Sequence, residues 1–296
     1  MEDSAFFSVV IPTHNRGTLI RETIESVLAQ TFRDFEIVVV DDGSTDDTPS
    51  VVAGIPSDKI SYYRRANAER GAARNFGTHV SRGHYVNFLD SDDLLLPHHL
   101  DSARRFCSER GDAPIFHQAY EVRDRRGRRL RLGPKITSVN RDILSGNVLS
   151  CNGVFVPRAL ALAHPFNEDR ALASLEDWEL WLRLCARYPF LDSKVVTSVI
   201  VQHAQRSMMS TDVSKILLAV DRFVEYVLQD EGNRKSFGGG LDRVAASAWT
   251  YAALHLAVAG GHRRTALRYL GRAVGRFPRE ALRRRTAVIL GKLAGL

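Results

Sequence analysis

Five aspartates stand directly after two apolar runs. Asp41 and Asp42 follow residues 35–40, and Asp90, Asp92 and Asp93 follow residues 85–89. Carboxylates crowded together raise one another's proton affinity unless a cation sits among them. Asp90-Ser91-Asp92-Asp93 offers hard oxygen ligands one residue apart, a pattern suited to Mg²⁺ or Mn²⁺ shared with phosphate oxygens. The plainer alternative is that these acids cap the helix expected near Pro97, since aspartate is a favoured N-cap. Glu176 and Asp177 open another helical stretch. Either they favour its N-terminus electrostatically, or one is a general base able to take a proton from a hydroxyl nucleophile. His203 is either a strand-end histidine or a ligand, and Asp42 either a contact residue or the closure of an Asx-turn. Arg206 either reaches a phosphate or is solvated. His98-His99 lack a third spaced partner, so zinc is not expected.

These residues need a scaffold that gathers them. Strand and helix patterns alternate over the first hundred residues, which predicts a mainly parallel sheet. Residues 6–11, 35–40, 60–63 and 85–89 read as strands, with helices over 17–30 and 69–80. The acids then lie at the carboxyl ends of strands, where open α/β sheets bind ligands. The middle is less regular: residues 115–122, 153–156 and 195–201 are strand candidates, 124–128 a turn and 176–187 a helix. From about Asp212 the pattern is all helix, interrupted at Gly238-Gly239-Gly240. Trp249, Leu254, Gly261, Ala266, Leu270, Ala273 and Pro278 are spaced like one tetratricopeptide-type helix pair, read as a helical hairpin.

The composition, 44% hydrophobic and 25% charged, excludes disordered, collagen-like and coiled-coil classes. Three scattered cysteines exclude a disulfide framework and point to a reducing compartment. The N-terminus lacks the basic start of a signal peptide, and no stretch reaches the length of a spanning helix. Cytoplasmic placement follows as an expectation. The net charge of +7 is unevenly placed: residues 262–296 hold ten basic residues and one acid, so this tail carries +9 and the body −2. A second basic cluster spans residues 123–131.

The words around these acids are Val9-Val10-Ile11-Pro12-Thr13-His14-Asn15-Arg16, Ser26-Val27-Leu28-Ala29-Gln30-Thr31, Glu36-Ile37-Val38-Val39-Val40-Asp41-Asp42-Gly43-Ser44-Thr45-Asp46, Phe88-Leu89-Asp90-Ser91-Asp92-Asp93 and Glu176-Asp177-Trp178-Glu179-Leu180-Trp181. In this order they resemble the family-2 glycosyltransferases, inverting enzymes of the GT-A fold, over roughly residues 6–210. The resemblance implies a Rossmann-like mixed sheet flanked by helices over residues 1–210, with an all-helical C-terminal appendage over 211–296. It implies a nucleotide site at Pro12, Thr13, Asn15, Arg16, Asp41, Asp42, Arg74, Asp90 and Ser91, with Asp41 accepting from the base. It places Mn²⁺ or Mg²⁺ at Asp92, with His203 nearby, and the catalytic base at Asp177. Glu176 and Trp178 become candidate acceptor or sugar contacts, since aromatic faces suit sugar rings.

The implied activity is transfer of a sugar from a nucleoside diphosphate, UDP for preference, to a glycan or lipid-linked acceptor in bacterial surface-glycan synthesis. Rival enzymes lack their marks. A nucleotidyltransferase needs a glycine-rich loop after the first strand, a nicotinamide enzyme Gly-X-Gly-X-X-Gly, and a phosphate-loop enzyme Gly-Lys-Ser/Thr. Polymerising synthases of the family carry spanning helices and Gln-X-X-Arg-Trp, which Gln205-Arg206 does not complete. The alternative of another class is an inactive adaptor that binds anionic membrane or nucleic acid through its basic tail. Arg263, Arg264, Arg268, Arg272 and Arg276 recur at helical spacing among apolar residues, which suits peripheral docking on anionic lipid or a solvated face. Nucleic acid is the poorer fit, with only Tyr269 and Phe277 as aromatics there.

Overall fold

A computed structural model describes residues 5–111, 115–203 and 212–295. The strands are β1 (Phe7–Thr13), β2 (Phe35–Asp41), β3 (Ile60–Arg64), β4 (Tyr85–Phe88), β5 (Leu94–Leu95), β6 (Ile115–Asp124), β7 (Arg129–Leu132), β8 (Val154–Pro157) and β9 (Phe190–Gln202). The helices of the first half are α1 (Ile20–Leu28), α2 (Thr48–Ala53), α3 (Glu69–Val80), α4 (His99–Arg110), α5 (Val139–Asp142) and α6 (Arg158–Ala163). Those of the second half are α7 (Glu176–Cys185), α8 (Val213–Gln229), α9 (Glu231–Phe237), α10 (Gly240–Ala259), α11 (Arg263–Arg276) and α12 (Arg284–Ala294). The chain divides into two compact units. Met1–Val139, Val148–Arg170 and Tyr188–Ala204 form one; Asn140–Asn147, Ala171–Arg187 and Gln205–Leu296 form the other.

The first unit is built on one sheet in the order β3-β2-β1-β4-β8-β6-β9-β5, with β7 hairpinned onto β6. Strands β3, β2, β1 and β4 run parallel; β8 then pairs antiparallel to β4. Every residue of β1 and β2 is buried. That explains why both are mainly apolar, Ser8 and Glu36 excepted, for a parallel strand is covered on both faces. On one face Phe7, Val9 and Ile11 meet Ile20, Ile24 and Val27 of α1. On the other, α3 lies so close that a Cβ on Gly77 would fall 2.3 Å from Val10 Cγ1. Pro12 fits inside β1 because the β4 pairing ends at Val10, so no partner needs its missing N–H.

The chain order reverses at β1. It moves from β1 to β2 and β3 on one side, then crosses to β4 on the other. Such a switch point leaves a crevice beyond the strands' carboxyl ends. Thr13 and Asp41 end paired strands in register there, and Asp90 follows β4 after one intervening residue. After the aspartates comes β5, and helix α4 begins only at His99. The acids of residues 90–93 therefore do not cap that helix.

In the helical unit, α8 starts on Asp212, whose carboxylate accepts the Ser214 N–H at 2.9 Å. The expected hairpin is α10 and α11, turned by Gly260 and Gly261, both at φ +73°. That conformation suits residues without a Cβ. Ala245, Ala248, Ala252, Ala266 and Ala273 are buried, so the packed helical faces carry small side chains. A cut at residue 210 would leave residues 140–147 and 171–187 with the sheet. Here they cluster with the C-terminal helices, because α7 is anchored there: the Trp178 ring stacks on Phe223 of α8, centroids 4.4 Å apart.

Candidate functional site

The loop after β1 and the loop after β2 are stitched together. Asp42 N–H donates to Thr13 O at 2.8 Å, and Asn15 N–H donates to Ser44 Oγ at 2.9 Å. Asn15 sits at φ 52° and accepts the Thr45 N–H on its side-chain oxygen at 2.8 Å. Asparagine tolerates this left-handed conformation better than most residues. Arg16 N–H donates to Thr48 Oγ1 at 2.9 Å, holding its side chain on the same rim.

Asp41 is fully buried at the floor of this corner. Its Oδ1 accepts the Ser44 N–H at 2.8 Å, and its Oδ2 accepts the Tyr62 hydroxyl at 2.5 Å. Burial pushes the Tyr62 phenol well above its usual range, and the hydrogen bond to Asp41 adds to that. The carboxylate is thus fixed in plane by two donors while lone pairs remain for a ligand N–H. Thr13 Oγ1 is buried beside it with no hydrogen-bond partner among the described residues. An unsatisfied buried hydroxyl costs stability, so its presence here fits a group completed by a ligand.

Asp42 behaves differently from its neighbour. Its Oδ1 accepts the Ala68 N–H at 2.8 Å; its Oδ2 accepts the Glu69 N–H at 2.9 Å and the Asn67 amide at 3.0 Å. Both oxygens are spent on the start of α3, whose first amides have no intrahelical partner. Asp42 does not close an Asx-turn; its carboxylate caps the start of α3 from a distant loop.

The second acidic group closes the site. Asp90, Asp92 and Asp93 bring carboxylate oxygens within 4.8 Å of one another. Arg74 of α3 is buried and donates from Nη2 to Asp90 Oδ1 at 2.7 Å. The Arg74 guanidinium also lies over the Phe166 ring, 5.1 Å from its centroid. Asp92 Oδ2 lies 3.1 Å from His203 Nε2 and 3.7 Å from Arg16 Nε. His203 Nδ1 is buried without a partner among the described residues. Asp93 Oδ1 accepts the Val201 N–H at 3.0 Å, tying this loop to β9. Ser91 is buried within the same turn, and Pro12 lies inside β1. Three clustered carboxylates form a hard oxygen donor set that fits Mg²⁺ or Mn²⁺, with the His203 imidazole beside Asp92. Arg16 and Arg74 stand beside them as cations suited to phosphate oxygens.

Asp177 belongs to the helical unit. Its Oδ1 accepts the Trp178 N–H at 2.7 Å, and its Oδ2 accepts the Asn147 amide at 2.9 Å. Burial raises the Tyr251 phenol to about 12, and the charge of Asp177 contributes. The Arg285 guanidinium of α12 opposes that rise. Trp178, expected to offer a face to a sugar, has that face on Phe223 and donates its indole N–H to Ile143 O at 3.0 Å. It is a core residue of its unit, and Glu176 is buried as well. Arg206 lies outside the described residues.

Tyr62, Asn67, Asn147 and Tyr251 are site residues the sequence did not single out. Tyr62 sits in an apolar run where a strand position is all the pattern reports. Asn147 lies in an irregular segment with no periodicity to place it.

Three comparisons bear on this arrangement. The family model "Glycosyl transferase family 2" matches residues 8–158. An uncharacterized glycosyltransferase of Rickettsia felis is 32% identical over 233 residues, 75% of this chain and 37% of that protein. The chain thus spans well under half the length of that relative. A GalNAc(5)-diNAcBac-PP-undecaprenol beta-1,3-glucosyltransferase of Campylobacter jejuni is 40% identical over 113 residues, 37% of this chain and 36% of that protein. Among solved structures, S. aureus TarS 1–349 in complex with UDP-GlcNAc superposes with a TM-score of 0.66 at 21% identity. That superposition covers 97% of this chain and 87% of that one, and the fold is of the GT-A kind.

Proposed function

Because the chain belongs to glycosyl transferase family 2, we propose that it is a metal-dependent inverting transferase that moves a sugar from a nucleoside diphosphate to an acceptor hydroxyl. UDP is the preferred carrier. The Asp41 carboxylate accepts an N–H from the base, in the plane fixed by Tyr62 and Ser44. Thr13 Oγ1 completes its hydrogen bonding on the nucleoside. Arg74 and Arg16 would face the diphosphate, and Asp90, Asp92 and Asp93, with His203 beside Asp92, would hold the divalent cation. That cation, when bound, supplies Lewis-acid neutralisation of charge on the departing diphosphate.

Asp177 takes the proton from the acceptor hydroxyl as its oxygen forms the new bond to the sugar C1. The bond from C1 to the diphosphate oxygen breaks in the same displacement, and the nucleoside diphosphate leaves with both electrons. One base suffices for such an in-line displacement, which inverts C1. Asn147 and the Trp178 N–H keep the carboxylate turned one way. The acceptor belongs to glycan synthesis, in keeping with the name of the Campylobacter relative, and is a glycan or a lipid-linked one met at the cytoplasmic membrane face.

The observation that carries this reading is the gathering of three carboxylates, an imidazole and two guanidiniums beside the buried pair Thr13 and Asp41. Its test is release of nucleoside diphosphate from a panel of donors, with and without chelator. Asp92→Asn and Asp177→Asn should each cut turnover by at least about 100-fold while circular dichroism stays unchanged. Turnover indifferent to chelator and to Asp92→Asn would overturn the metal role. Near-normal turnover in Asp177→Asn would overturn the base.

A further inference from the structure

The basic tail gains a definite surface in the folded chain. Its single acid, Glu280, is fully buried; its carboxylate lies 3.2 Å from Arg283 Nε and 3.2 Å from the Thr250 hydroxyl. No exposed carboxylate therefore interrupts residues 262–295. Arg272 and Arg276 are answered from neighbouring helices by Asp221 at 3.0 Å and Asp242 at 2.5 Å. Arg263, Arg264, Arg268, Arg279, Arg284 and Lys292 are exposed and have no carboxylate partner among the described residues.

Apolar side chains stand among these cations. Helix α12 buries Thr286 and Ile289 and leaves Ala287, Val288 and Leu290 exposed. Leu282, in the turn just before it, is 88% exposed. Leu267 of α11 is exposed one helical turn after Arg263 and Arg264. Leucine so fully in water is costly to solvate, and a cluster of this kind marks an interaction face.

We propose that α11, the turn at Leu282 and α12 form a docking face for an anionic lipid bilayer. Leu282 and Val288 enter the headgroup–acyl boundary, while Arg263, Arg264, Arg268, Arg279, Arg284 and Lys292 meet lipid phosphates. This combination of an apolar edge with an unopposed cationic rim is what interfacial helices use. Single-stranded nucleic acid would need exposed aromatic rings to stack its bases. Tyr269 is buried and Phe277 half-buried, so the charge is not accompanied by such a platform. The face is independent of the transfer reaction and stands or falls separately.

The test is flotation of the full chain with phosphatidylcholine vesicles, with and without phosphatidylglycerol, and with an oligouridylate competitor. The unmodified chain should partition at least about ten-fold more strongly onto the anionic vesicles, and salt should release it. Leu282→Glu with Val288→Glu should drop to the phosphatidylcholine background, with unchanged helical circular dichroism and unchanged nucleotide release. A charge variant, Arg263→Gln with Arg264→Gln and Arg268→Gln, should lose the preference for anionic vesicles, which keeps the proposal testable if the double glutamate fails to fold. Equal partitioning onto both vesicles, flotation of the variants like the parent, or capture only by the oligonucleotide would overturn it.

Discussion

Replacing Tyr62 by phenylalanine deletes one hydroxyl from the nucleoside corner. That hydroxyl donates to Asp41 Oδ2 at 2.5 Å, and Asp41 has no solvent exposure. A hydrogen bond to a charged group contributes about 1.5–3 kcal/mol. Tyr62 itself is only half-buried, so water can partly replace it, and Ser44 N–H still holds Oδ1 at 2.8 Å. The lower end, about 1.5 kcal/mol, is therefore expected. Thermal unfolding should fall by a few degrees, at about 2–4 °C per kcal/mol for a domain of this size. Nucleotide affinity should weaken as well, because a carboxylate held by one donor can turn. A loss of up to about ten-fold in UDP affinity corresponds to a similar free energy, and calorimetric titration reads it. The tyrosine supplies a second check. Its ionisation is raised by burial and then by Asp41, so Asp41→Asn should bring the phenol's absorbance titration to lower pH. Unchanged unfolding and unchanged UDP affinity in Tyr62→Phe would refute the claim that this hydroxyl orients Asp41.

Three further outcomes follow from the geometry. Asn147→Leu removes a donor from Asp177 and should lower kcat about ten-fold with the donor-sugar KM unmoved; a KM effect alone would remove Asn147 as a positioning residue. Gly77→Ala puts a methyl 2.3 Å from Val10 Cγ1 and should cost about 1–3 kcal/mol in urea unfolding; an unchanged midpoint would show that α3 is not seated on β1 this closely. His99 is buried, which drives its ionisation down to about 3, and burial also lowers His117. Both bind protons more weakly folded than unfolded, so their stability contribution is full above about pH 6.5 and is lost as pH falls, for His99 by roughly 1 kcal/mol per unit. Urea midpoints between pH 7 and pH 5 measure this, and His99→Asn should flatten the slope; equal slopes in the two proteins would contradict it.

The sequence by itself determined the sheet's parallel core and its acid-tipped strands. Residues 35–40 and 85–89 are apolar without alternation, Glu36 and Asn87 excepted, because both faces are covered, and a run of that kind reveals itself without partners. The helix expected over 69–80 is the observed α3, since its apolar and polar residues alternate at its own period. Distance was invisible. Asp42 and Asp41 are adjacent and chemically identical, yet one caps α3 from 26 residues away and the other anchors Tyr62 from β3. Asp90 and Arg74 meet across a helix–strand crossover, and Asp92 meets His203 from 111 residues away. Trp178 read as a candidate sugar contact, and only its stacking on Phe223 shows it as a core ring. Local pattern records which faces must be buried, because burial repeats with the element's own period. Which partner does the burying, and which carboxylate is left with lone pairs to offer, depends on side chains brought together by the fold and leaves no periodic trace.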